Sequence, residues 1–211
     1  MWVFPDSNYL SYGLAEGDLY FQFFSYLLLF AVPAYTVGFL ANEYRFGTEE
    51  LLRSLQIDWM TALLAKFVAA LLVLCMILVL SSTHLFVIYK LNLNSSTIPV
   101  AQIIGSYLGL IGVGACYIAI SLMVTSFVQQ TTASFMISVF VCFMLFSGFN
   151  LLSDLPLFQG DFDFWLERLS LSYHADQIGR GILRLSTLVY FVALVVWSIW
   201  LASVRLNTKE V

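Results

Sequence analysis

Residues 101–152 read AQIIGSYLGLIGVGACYIAISLMVTSFVQQTTASFMISVFVCFMLFSGFNLL, without one Asp, Glu, Lys or Arg. A helix that crosses a bilayer needs roughly 20 consecutive apolar residues. The stretch therefore has room for two, and Gln129-Gln130-Thr131-Thr132 in its middle marks the turn of a helical hairpin. Its apolarity is continuous rather than alternating as in barrel strands of about ten residues. That selects helices, because in lipid an open strand leaves its backbone polar groups unpaired.

Working outward, charge-free runs recur at 19–42, 67–89 and 185–204. Five spans follow, near 19–41, 61–89, 101–128, 133–152 and 187–204. The fold class is all-α: a polytopic integral membrane protein with a single transmembrane domain over residues 1–211. Composition agrees, at 61% hydrophobic, 17% aromatic and 10% charged residues with a mean hydropathy of +0.90, outside the range of soluble domains. The net charge of -4 and the lack of a basic run argue against a nucleic-acid partner. Basic residues divide five (Arg45, Arg53, Lys66, Arg205, Lys209) against four (Lys90, Arg168, Arg180, Arg184) between the two sides, a small excess that places the first loop and the C-terminus in the cytoplasm. Cys75, Cys116 and Cys142 all fall inside spans without paired spacing and read as small packing residues.

The densest charge cluster lies between the first two spans: Asn42-Glu43-Tyr44-Arg45-Phe46-Gly47-Thr48-Glu49-Glu50-Leu51-Leu52-Arg53. Gly47 ends the descending helix, Thr48 can cap a new one, and Glu49 and Glu50 suit the positive end of its dipole. Leu51, Leu52, Leu55 and Trp59 then recur at spacings of three and four, which predicts an amphipathic helix near 47–59. Periodicity does not separate an interfacial anchor from a helix that docks on another protein. On the far side, Phe162, Trp165, Leu166, Leu169 and Tyr173 form a rough apolar stripe within the outer loop 153–186, which predicts a second interfacial helix. No ligand stands at metal spacing from His174, so that residue reads as a hydrogen-bonded histidine at the headgroup boundary. Gly105, Gly109, Gly112, Gly114 and Ala115 allow close helix packing or a smooth wall for a lipid-like substrate. Pro33 is expected to kink the first span.

The segment from Phe39 to Leu52 resembles the acidic-basic-Gly-Thr-x-Glu-Leu-Leu signature of type-2 ABC transporter permeases, most closely the gliding-motility (GldF-like) and copper-processing branches. The likeness continues at Lys66 and through Leu171 to Phe191, where His174, Arg180, Gly181, Ile182 and Tyr190 follow the family's outer-loop pattern. Asn42, Glu49 and Gln56 depart from its usual residues, as do Arg184 and Thr187. The resemblance implies that 47–59 is a coupling helix docking into a separate ATP-binding ABC subunit. Glu43, Arg45 and Glu50 would supply its polar contacts, Gly47 and Thr48 its bend, and Leu51, Leu52 and Leu55 its groove-filling face. It further implies a second permease subunit, as homo- or heterodimer, and membrane lipid around both. The location it implies is a bacterial inner membrane. The family has six spans, so a helix is expected ahead of the first one here. No Gly-x-x-x-x-Gly-Lys-Ser/Thr loop occurs, so ATP would sit on the partner, with no cofactor and no catalytic residue on this chain. The function so implied is an ATP-driven export permease. The alternative is a non-transporting membrane subunit that uses an ATPase for motility or envelope assembly.

Overall fold

The computed structural model describes residues 17–48, 58–91, 100–153, 168–179 and 184–208. All regular structure among them is helical. Helix α1 runs Gly17–Phe46, α2 Trp59–Leu91 and α3 Val100–Phe127. Helix α4 (Thr131–Phe143) passes through a π-helical turn, Met144–Gly148, into the short α5 (Phe149–Ser153). A nine-residue α6 (Leu171–Gly179) and the long α7 (Leu185–Thr208) complete the chain. Five of these helical stretches are long and apolar enough to cross a membrane, and the protein is a multi-pass, all-α membrane protein. Each expected span is present, and each except the third is longer than expected.

Helix ends are set by local chemistry. Gly47 has φ 68°, the left-handed region that costs a residue with a side chain about 1–2 kcal/mol. The Thr48 N–H bonds back to the Glu43 carbonyl at 3.1 Å, the six-to-one closure of a Schellman end. Thr48 thus acts here through its backbone. Any cap it provides for a following helix concerns 49–57, outside the described residues. At the start of α2 the Asp58 carbonyl accepts from Thr61 and Ala62. Trp59 is the first residue of that helix, 4% exposed. It is therefore part of the span and of the core, rather than the last apolar position of an amphipathic helix. Pro33 lies buried within α1, which continues past it.

Helix α3 is the axis of the bundle. Of its most apolar window 72% is buried, against 22% for α2, and it packs on α1, α2, α4, α6 and α7. Glycines permit this crowding. A Cβ on Gly109 would lie 3.3 Å from the Ala175 carbonyl of α6, one on Gly112 3.1 Å from the Phe191 ring of α7, and one on Gly114 2.5 Å from Leu74 of α2. Each of the three serves a different neighbour, so the small-residue series is a packing device. Outward-facing side chains are as apolar as the core: Leu72, Met76, Val79 and Leu80 on α2, Met136 and Phe140 on α4, and Val192, Val196 and Trp200 on α7 are all exposed. In water such a surface would aggregate; in hydrocarbon it costs nothing.

The up-and-down order places the Gly47 loop, the Val128–Gln130 turn and the end of α7 at one end of the bundle. Trp59, Leu63, Ala119, Ile199, Ala202 and Leu206 form a separate core there, and the Arg205 guanidinium lies 5.9 Å from the Phe127 ring centre. The opposite end holds α5, α6 and the start of α7.

Candidate functional site

At the loop end, Glu43 and Lys66 form an ion pair between α1 and α2. Lys66 lies two turns inside α2, where a lysine has apolar neighbours on most sides. Its ammonium is held by the Glu43 carboxylate and also donates to the Phe39 carbonyl at 3.0 Å. The two side chains are 24% and 13% exposed, so this is not a solvated surface pair of the kind that contributes little. Helix geometry explains the alignment: residues 39 and 43 are four apart and share one face of α1. Arg45 points elsewhere. It is exposed, with its guanidinium 5.9 Å from the ring centre of Phe46, itself 71% exposed. A Cβ at Gly47 would meet nothing within 4 Å, so its glycine is required by backbone conformation alone.

Of the residues expected to couple to an ATPase, the structure brings Glu43, Gly47 and Thr48 together at the helix end and leaves Arg45 on the outside. Glu50, Leu51, Leu52 and Leu55 lie outside the described residues. The arrangement has a mechanical consequence. A displacement of the loop is delivered to α1 and α2 at once, because their ends are tied by a charge-assisted contact and by the core around Trp59.

At the opposite end His174 sits on α6, 8% exposed. Its Nε2 donates to the Arg168 carbonyl at 2.9 Å, which leaves Nδ1 as the acceptor facing the Thr187 hydroxyl at 3.4 Å. The ring stacks on Tyr190 with centres 4.2 Å apart and planes 24° from parallel. Tyr190 in turn donates to the Leu169 carbonyl at 2.6 Å. Burial pushes the imidazole below its ordinary 6.5, the bond to the Arg168 carbonyl opposes this, and the Arg168 charge adds to it. His174 and Tyr190, seen in the sequence as members of one pattern, are thus in contact, and they fasten α6 to the start of α7. Gly181 lies outside the described residues. Among the described residues no group of three or more His, Cys, Asp or Glu side chains is placed to hold a metal ion.

Sequence reasoning missed a polar chain beside this cluster. Asn150 Nδ2 donates to the Ser172 hydroxyl at 2.5 Å, Ser172 lies 2.9 Å from Ser170, and Ser170 donates to the Phe146 carbonyl at 2.7 Å. The acceptor carbonyl belongs to the π turn, a distortion that recurs at functional sites. Single serines and one asparagine spread over three elements leave no periodic signal, so only the fold assembles them. Compared with known proteins, the chain matches no protein family and no curated protein.

Proposed function

We propose that this chain is the membrane-spanning permease subunit of an ATP-driven ABC transporter, an exporter of the bacterial inner membrane. The observation that carries the reading is the loop end: a glycine-terminated α1 whose Glu43 is tied to Lys66 of α2, immediately before the segment that resembles a coupling helix. A permease of this kind needs a stiff joint there, because work done by a separate ATPase must reach the spans without being lost in the loop. Glu43 and Lys66 supply that stiffness, and Gly47 sets the direction in which the chain leaves the helix. In this reading the Gly47 end faces the cytoplasm, the ATPase docks on residues 47–58, and ATP is bound and hydrolysed on that partner. A second permease subunit pairs through the exposed apolar faces of the spans, and the two packings of the pair are biased in turn by nucleotide.

The test is purification of the tagged chain from native membranes in mild detergent, with and without Glu50→Lys and Gly47→Pro. The expected result is an ATPase with a Walker motif that accompanies the unaltered chain and is lost from both variants. An unaltered chain that carries no ATPase, or variants that keep it, would overturn the reading.

A further inference from the structure

A cleft of about 290 Å³ opens between α1, α3, the π turn and α6, lined among others by Gln22, Ser106, Ser147, Asn150, Ser172 and Asp176. Its depth is defined by the spans. Ser25, also in its wall, lies four residues into the apolar stretch that begins at Phe21, Ser106 three residues past Ile103, and Asn150 two before Leu152. At 1.5 Å per residue the polar atoms sit about 3–6 Å below the end of the bundle, the level of the interface between headgroups and acyl chains. The volume is at the small end of ligand sites, about 300–1,000 Å³, and suits a headgroup rather than a whole lipid.

The hydrogen-bond directions decide the ligand's chemistry. Ser170 gives its proton to the Phe146 carbonyl, so in the 2.9 Å contact between the two serines Ser172 is the donor. Ser25 gives its proton to the Phe21 carbonyl at 3.0 Å. The protons of these hydroxyls are therefore committed to the protein, and what Ser25 and Ser172 offer the cleft is oxygen lone pairs. Asp176, exposed at the cleft, adds a carboxylate, and no Lys, Arg or His lines it. A wall of acceptors with one negative charge selects a cationic donor, and an ammonium brings three N–H groups and no acceptor. It disfavours a carboxylate or phosphate headgroup, which would meet like charge and spent donors.

We infer that this cleft is a binding site for the ammonium headgroup of a long-chain amine that enters from the bilayer leaflet. Asp176 is the counter-ion, Ser172 and Ser25 accept from the ammonium, and the alkyl chain stays in lipid. The site does not depend on an ATPase partner.

The experiment measures tritiated sphingosine binding to the purified full chain in phosphatidylcholine nanodiscs without nucleotide. Saturable binding is expected, at least tenfold weaker in Asp176→Asn and in Ser106→Leu, which fills the cleft, with the melting temperature of Asp176→Asn unchanged. Oleylamine should compete, while ethanolamine in water and oleate should not. Non-saturable binding, wild-type affinity in Asp176→Asn, or equal competition by oleate would overturn the site. Equal competition by ethanolamine would overturn entry from the leaflet. Because Asp176 is exposed, its variant carries the test even if the leucine at 106 prevents folding.

Discussion

Glu43 and Lys66 show how much one ion pair can matter where water is thin. Both were visible in the sequence as residues of the family-like pattern, yet nothing in their spacing joins positions 23 apart on different helices; the pair exists because α1 and α2 are antiparallel neighbours. A hydrogen bond to a charged group contributes about 1.5–3 kcal/mol, so Glu43→Ala and Lys66→Met should each destabilise by about 2 kcal/mol. The double variant should lose clearly less than the sum, measured as a double-mutant cycle of unfolding in detergent. Additive losses would mean that the pair contributes nothing by itself. His174 makes a pH prediction at the same scale. Its folded-state value lies below the ordinary 6.5, so the unfolded chain binds more protons across that window and stability rises with pH. The contribution is fully present above about pH 6.5 and is lost as pH falls through the depressed folded value. Melting followed from pH 8 to pH 5 should show this slope, and His174→Phe, which keeps a ring on Tyr190 but cannot titrate, should flatten it.

Among the elements, α3 was legible as a span and its glycines as a packing surface, but its central position was not. Burial of one helix by five others is a property of the assembly, and a helix that is apolar all round gives no sign of which side meets protein. Gly114 tests the packing. A methyl group there would fall 2.5 Å from a Leu74 that is wholly buried, and overpacking of this kind costs about 1–3 kcal/mol. Gly114→Ala should therefore lower the melting temperature, and Leu74→Ala in the same chain should restore part of the loss. Failure of the second substitution to help would show that the contact with Leu74 is not the cause. The π turn was equally hidden: MLFSG carries no signal that separates it from ordinary helix, and it is recognised only by the serine from α6 that meets its carbonyl.

For the whole molecule, alternation of five spans puts the Gly47 loop, the Val128–Gln130 turn and the end of α7 on one side and α6 on the other. Cysteines placed at Gln129 and Asn207 in a background without native cysteines should label from the same face of sealed vesicles, and one at Arg184 from the opposite face. Labelling of Arg184→Cys together with Gln129→Cys would break the topology. Composition and run length alone determined that this chain is helical and crosses a membrane five times over the described residues, because the cost of an unpaired backbone in hydrocarbon leaves no other structure for such runs. The stop at Gly47 was also readable, since only the backbone conformation of that residue is at stake. The tertiary structure alone decided which helix stands in the middle, that Lys66 is neutralised by Glu43, and that Ser172, Asn150 and Asp176 face one cleft. These are distances between segments far apart in sequence, and in a chain where nearly every face is apolar no pattern of hydropathy encodes them.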